Sequence, residues 1–296
     1  KNAEDYVKFA LEAAKLKRLV DKDIMLIASG ASYYRPDNGW IDWNDYVLTH
    51  MTGTVDYISV HRYATEALGD DRSFGGMMCL GLDLDQKIEM VKALILKAGT
   101  KTGSTRPVYI SFDEWAAGWG NNITVSLMVA QHLNSFIRHA DIVKMANMTM
   151  LSNCVGYSPE VAYKNATYGA FRLYTHNCSG TSLDVSTSCN KYSNEIFGEI
   201  PYLDVTAVLN SEGRNLVINV VNRHETNDIE TDIVMQTGEF TGTAMVSEVN
   251  GKIADPANPR AEEPVKTRSS DIRFRGNTIR YSFPAHSFTQ INVPLK

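Results

Sequence analysis

The feature that most limits what this chain can fold into is a change of hydrophobic period near residue 179. Upstream, continuous apolar runs alternate with segments whose apolar residues recur every three to four positions. Downstream, that helical period is absent, and short strand-like runs lie between turn signals. An apolar run without a polar face fits a parallel strand covered on both sides by helices. Residues 1–178 therefore read as α/β, and residues 179–296 as an all-β sandwich.

In the first part, Val7, Ala10, Leu11 and Ala14 mark a helix that ends before Asp21-Lys22-Asp23. A short buried strand comes next at Ile24-Met25-Leu26-Ile27-Ala28, and a second at Val55-Asp56-Tyr57-Ile58-Ser59-Val60-His61. Leu84, Ile88, Val91 and Ile95 share a helix face, entered through Asp83 and Gln86 at capping-box spacing. A third strand is expected at Val108-Tyr109-Ile110-Ser111-Phe112. Then come a helix on Val125, Met128, Val129, Leu133, Phe136 and Ile137, a strand on residues 142–146, and a helix near 163–175. In the second part, strands are expected over residues 203–209, 215–222, 243–249, 278–283 and 288–293. Asn258-Pro259 and the charged run 260–268 read as a surface loop.

Four parallel strands suit an open sheet or a piece of a barrel. No GxGxxG or Walker loop succeeds any strand, which removes the usual ligand feature of the open sheet. A (β/α)8 barrel needs eight strands, and here the first strand is preceded by a helix. That start looks like the middle of a barrel, so half a barrel stands beside the open sheet.

With 34 acidic against 29 basic residues, the net charge of -5 provides no basic stripe for nucleic acid. No apolar run approaches the ~20 residues that cross a bilayer. The four cysteines form no CxxC pair, so a zinc site is not indicated and no metal is expected. Cys178 and Cys189 are spaced to close a small loop, with free thiols as the alternative. N-x-S/T triplets at Asn122, Asn147, Asn165 and Asn177 leave secretion open.

Chemistry is expected where strands run out, because the C-terminal strand ends form the active face of a parallel barrel. Glu114 stands at such an end and would project into the mouth, while Asp113, one residue off in a period-2 strand, would point elsewhere. His61 ends its own strand, and Tyr63 shares its parity. Each has a plain structural alternative: a carboxylate that caps a loop, and a histidine that only hydrogen-bonds. Aromatic residues come after the strands: Tyr33, Tyr34 and Trp40 after the first, Trp115 and Trp119 after the third. Rigid rings at a barrel mouth suit the apolar faces of sugars, although some would simply close the core. Asp56 and Asp141 stand at strand starts, where charge serves stability.

The stretches LIASGAS, DYISVHRYA, ISFDEW, TYGAFRLY, IPYLDVTAVLN, LVINVVNRH and PAHSFTQINV, in this order, resemble the family 51 glycoside hydrolases, chiefly α-L-arabinofuranosidases. The resemblance implies the C-terminal half of a (β/α)8 TIM barrel, strands five to eight over residues 1–178, followed by a jelly-roll-like antiparallel β-sandwich over 179–296. It implies a retaining glycosidase without cofactor, releasing α-L-arabinofuranosyl residues from plant cell-wall polysaccharides or oligosaccharides. Glu114 matches the nucleophile. His61 and Tyr63 match residues that line the sugar subsite and hold the nucleophile, and Trp115 and Trp119 are the expected sugar-facing rings.

The family's acid/base Glu, in an Asn-Glu motif ending strand four, would lie just upstream of residue 1. The expected partners are thus a carbohydrate and an upstream N-terminal half, with a homo-oligomer and a cytoplasmic location implied by resemblance. Where the family has an Asn soon after the FDEW tryptophan, this chain has Ala116-Ala117-Gly118. Two alternatives stay open: an endo-β-1,4-glucanase or xylanase of the same family, and a non-catalytic carbohydrate-binding subunit.

Overall fold

The computed structural model describes residues 2–32, 39–63, 71, 73–117, 120–240, 242–253, 265–274 and 276–295. They form two compact units, residues 1–66, 84–116 and 139–149 in one, and 67–83, 117–138 and 150–296 in the other.

The first unit opens on α1 (Ala3–Val20), whose N-terminus is capped by Asn2 accepting from the Asp5 amide at 2.8 Å. Glu4 and Asp5 in its first turn and Lys17 and Arg18 in its last complement the helix dipole. Strand β1 is only Ile27–Ala28, at the end of the apolar run expected to form it. Next come α2 (Trp40–Met51), β2 (Tyr57–Tyr63), β3 (Tyr109–Ala116) and β4 (Val143–Met148). Val7 and Ala14 of α1 pack with Val47 and Met51 of α2 and with Leu26, Ala28 and Val55, forming one apolar cluster.

The four strands are parallel and lie in the order β1-β2-β3-β4. A sheet whose parallel strands keep sequence order without reversal is built like a barrel segment, whereas a doubly wound sheet reverses at a switch point. The half-barrel expectation holds for that reason.

Helix α2 has no counterpart in the sequence pattern. It begins after Gly39, in the left-handed region at φ 67°, and no side chain caps it, so the N-cap position itself carries no Ser, Thr, Asp or Asn. Trp40, expected among the mouth aromatics, is buried in it at 2% exposure. After α3 (Phe74–Met77), the long helix α4 (Leu80–Thr102) starts three residues before Asp83, which therefore lies in the first turn and does not cap it.

The second unit holds α5 (Ile123–Arg138), the hairpin β5 (Val155–Tyr157) and β6 (Ala162–Lys164), α6 (Thr167–Asn177) and the sandwich. Its six-stranded antiparallel sheet runs β14-β13-β16-β11-β10-β7, over Val265–Arg273, Thr243–Gly251, Ser287–Pro294, Asn215–Asn222, Leu203–Asn210 and Gly180–Leu183. A ribbon of β12 (Ile229–Val234) and β15 (Thr278–Phe283) and a hairpin of β8 (Lys191–Asn194) and β9 (Gly198–Pro201) complete it. All five strands expected from the sequence form; β14 takes up residues 265–268 of the expected surface loop, and residues 254–264 lie outside those described.

Alternation in the six-stranded sheet separates two buried faces. Val205, Ala207, Ile218, Val220, Ile291 and Val293 join Ile279 and Phe283 of β15 in the apolar sandwich core. From the same strands, Thr206, Asn219 and Gln290 turn to a polar network instead. Asn134 of α5 accepts from Thr206 Oγ1 and from the Tyr174 hydroxyl, each at 2.7 Å, and Gln290 donates to Asn219 at 2.8 Å. Such a buried network stabilises only when its members are paired, as these are. All four cysteines are free thiols, so Cys178 and Cys189 are not bridged.

Candidate active site

The register between β2 and β3 sets the geometry. Ser59 pairs with Ser111 and His61 with Glu114, so Phe112 and Asp113 together stand against Val60. That extra residue is a β-bulge. Strict alternation is broken there, and Asp113 and Glu114 are both half-buried on the open side while Phe112 and Trp115 on either side are fully buried. The expectation that Asp113 points elsewhere is corrected by this bulge.

The side chains of the two carboxylates converge on one imidazole. His61 Nε2 lies 3.2 Å from Asp113 Oδ1, and His61 Nδ1 lies 3.5 Å from Glu114 Oε2. Ser59 Oγ donates to Asp113 Oδ1 at 2.7 Å and lies 3.1 Å from His61 Nε2. Tyr63 donates its hydroxyl to Glu114 Oε2 at 2.8 Å, and the same hydroxyl lies 3.2 Å from Thr149 Oγ1, just past β4. Burial pushes the Asp113 carboxyl up, but the hydrogen bonds from His61 and Ser59 outweigh it and hold Asp113 below the usual carboxylate range. Glu114 is more open than His61 and Asp113, its side chain 47% exposed against 20% and 30%.

His61, Tyr63 and Glu114 are thus brought together as expected. Trp115 is not: it carries no exposed surface, since the residue after Glu114 on a strand turns to the opposite face and enters the core. The expected sugar-stacking face of Trp115 is closed. Trp119, Tyr33 and Tyr34 lie outside the described residues. Ser59 and Thr149 join the group without having been singled out by the sequence. Ser59 sits two residues before His61, which on a strand puts both on one face, and that is the signal available for it.

At the other end of the strands, Asp56 accepts from the Leu26 amide at 2.8 Å and pairs with Arg106, with Arg18 at 3.5 Å. Burial raises its pKa, and these partners outweigh it and bring the carboxyl below its ordinary range. Asp141 pairs with Lys92 at 2.7 Å. Both carboxylates are engaged in holding strand starts. Among the described residues, no group of three or more His, Cys, Asp or Glu is arranged to hold a metal ion, and no helix is long and apolar enough to cross a membrane. A cavity of about 310 Å³ in the sandwich is lined by Val205, Ile218 and Phe240; Asp232 on its wall is paired with Arg280 at 2.7 Å. Of the four sequons, Asn122 is fully buried and so closed to a glycan, whereas Asn147 is exposed.

The parts of the group define its chemistry. A half-exposed carboxylate at a strand end, steadied by a phenol and faced by an imidazole, can attack an electrophilic carbon, and the Tyr63 hydrogen bond to Oε2 fixes its orientation.

Residues 113–287, more than half of the chain, match the family described as Alpha-L-arabinofuranosidase C-terminal domain. The chain is 29% identical to the intracellular exo-α-(1→5)-L-arabinofuranosidase of Halalkalibacterium halodurans, over 81% of this chain and 52% of that protein. It is 28% identical to intracellular exo-α-(1→5)-L-arabinofuranosidase 1 of Bacillus subtilis, over 95% of this chain and 61% of that protein. It spans about half to three fifths of the length of these curated relatives. Among solved structures, a family 51 α-L-arabinofuranosidase from Bifidobacterium longum shares the fold at a TM-score of 0.86 and 19% identity, covering 99% of this chain and 63% of that one. The α-L-arabinofuranosidase from Thermotoga maritima, solved with arabinose, does so at 0.79 and 22%, covering 100% and 63%.

Proposed function

The chain belongs to the α-L-arabinofuranosidase C-terminal domain family, and from that premise we propose that it carries the nucleophile of a retaining exo-acting α-L-arabinofuranosidase. The observation that supports this reading most directly is the environment of Glu114, held by Tyr63 at 2.8 Å and faced by His61 at 3.5 Å at the end of β3.

In this reading, Glu114 attacks the anomeric carbon of an arabinofuranosyl unit while an acid protonates the leaving oxygen. A glycosyl-enzyme ester forms, and water then cleaves it with net retention. Retaining hydrolysis needs a second carboxyl about 5 to 5.5 Å away on the other side of the scissile bond. Asp113 does not suit that part, because it is adjacent to Glu114 and already engaged by Ser59 and His61. The acid/base is assigned to the upstream Asn-Glu segment that the resemblance implies, in a protein whose two halves complete one barrel. The substrates are arabinofuranosyl side chains or ends of plant cell-wall polysaccharides and their oligosaccharides, in keeping with the exo-arabinofuranosidases among the relatives.

The test is mechanism-based labelling of the full protein with a 2-deoxy-2-fluoro-arabinofuranosyl donor, followed by peptide mapping. The label is expected on the peptide holding Glu114; a label on another carboxylate would remove this assignment. Comparing sugar release from an aryl arabinofuranoside with viscosity loss of a glucan separates exo from endo action. Activity on neither, with sugar binding retained, would favour a carbohydrate-binding subunit.

A further inference from the structure

The retaining mechanism gives Asp113 no task, although Asp113 is half-buried beside the proposed nucleophile and held ionised. The hydrogen-bonding capacity of its neighbours leaves little freedom. Ser59 has one hydroxyl hydrogen, and the 2.7 Å contact directs it to Asp113 Oδ1. The Ser59 oxygen, 3.1 Å from His61 Nε2, therefore only accepts from that nitrogen. An ionised carboxylate has no proton to give, so Asp113 Oδ1, 3.2 Å from the same nitrogen, also only accepts. Two acceptors facing Nε2 require Nε2 to carry a hydrogen.

We propose that Asp113, braced by Ser59, is a positioning residue that fixes the His61 proton on Nε2 and so turns Nδ1 toward Glu114. The proposal rests on the reading of Glu114 as nucleophile for its functional meaning, though not for its geometry. Neutral imidazole has a single N–H, so with Nε2 protonated its Nδ1 is bare. His61 then presents a hydrogen to Glu114 Oε2 only as the imidazolium, and in the neutral form Tyr63 alone of these two donates to that oxygen. A base or donor oriented by a third group is a recurrent arrangement in nucleophilic sites, and here the third group is adjacent in sequence to the residue that the imidazole serves. The β-bulge is what makes this possible, because without it Asp113 would be on the other face of β3.

The same geometry predicts the effect of losing Asp113. Ser59 would be released to donate to Nε2, and the remaining hydrogen of neutral His61 would move to Nδ1, where the Glu114 carboxylate accepts it. The measurement is 15N NMR of histidine-labelled full-length protein, with the His61 signals assigned by their loss in His61→Gln. Above the pH at which His61 loses its charge, the wild type is expected to show the Nε2–H tautomer and Asp113→Ala the Nδ1–H tautomer. The variant's kcat should fall by about 10- to 100-fold, the usual cost of removing an orienting partner, with KM changed little.

A wild type in the Nδ1–H form overturns the proposal without any variant, which covers the case of Asp113→Ala failing to fold. A folded Asp113→Ala that keeps the wild-type tautomer overturns it equally. Fluoro-sugar labelling away from Glu114 would instead refute the nucleophile reading, and the tautomer experiment distinguishes that failure from one of Asp113.

Discussion

Tyr63 donates its phenolic hydrogen to Glu114 Oε2 across 2.8 Å, from one parallel strand to its neighbour. In register, Glu114 sits opposite His61, and Tyr63 lies opposite Ala116, so the tyrosine reaches back along the sheet to meet the carboxylate. With Glu114 as the proposed nucleophile, a phenol in that position would steady the anion before attack and take no part in bond making. Tyr63→Phe should therefore cost about 1 to 3 kcal/mol of transition-state stabilisation, roughly a 5- to 150-fold drop in kcat/KM. His61→Ala should cost more, because it leaves Asp113 and Glu114 without a shared partner. A Tyr63→Phe enzyme as inactive as one lacking the carboxylate would show that the hydroxyl does more than steady it.

Glu114→Gln tests the proposed nucleophile itself. The amide is nearly isosteric and half-exposed, so the fold should survive, but it cannot form the ester. Turnover of an aryl arabinofuranoside in the full protein is expected to fall by several orders of magnitude. In Glu114→Gly, azide or formate should restore part of the rate and give a product of inverted anomeric configuration. Near-normal turnover by the Gln variant would take Glu114 out of the chemistry.

Tyr63 and Glu114 are legible in the sequence because their strands are continuous apolar runs that end on a polar side chain, and a parallel barrel gathers such ends on one face. Asp113 is not, because a bulge leaves no mark in composition; it appears only in the pairing, where one residue of β2 meets two of β3. Trp115 escapes for the opposite reason, since plain alternation from Glu114 sends it into the core and away from sugar. In the sandwich, β14 reads as loop because VKTRSSDIR is nearly all exposed, and an edge strand with no buried face has no period to detect. β12 does carry the period, with Glu230, Asp232 and Val234 exposed between Ile229, Thr231 and Ile233, but six residues with two acidic ones among them have weak strand propensity.

In the second unit, Asp204 is fully buried between Arg138 at 2.7 Å and Arg223 at 3.1 Å. Burial alone would raise its pKa, but the two guanidinium groups outweigh burial and hold it below the usual range. A carboxyl depressed in the folded state adds stability that is complete above its unfolded value, about 3.9, and is lost as pH falls through the folded value. Asp204→Asn should destabilise by about 3 to 5 kcal/mol at neutral pH, because it leaves a buried cation without its partner. The wild-type advantage in urea unfolding should then shrink as the pH is taken below about 4. An Asp204→Asn deficit that is the same at pH 7 and pH 3 would exclude this electrostatic account.

The surroundings of Cys178 oppose the bridge that its spacing to Cys189 suggests. Its sulfur lies 3.4 Å from Asn219 Nδ2 and 3.6 Å from Gln290 Nε2, in the polar network behind the sheet. Cys189 instead accepts from the Leu203 amide at 3.4 Å. Burial pushes the Cys178 thiol up to about 11, against a smaller opposing effect of Asn219. At pH 8 only about one such thiol in a thousand is ionised, and the thiolate is the reactive form. Iodoacetamide at pH 8 should therefore leave Cys178 unmodified in the folded protein, whereas urea without reductant should expose all four thiols. A cross-linked peptide joining Cys178 to Cys189, or rapid alkylation of Cys178 in the native state, would contradict the burial on which this prediction stands.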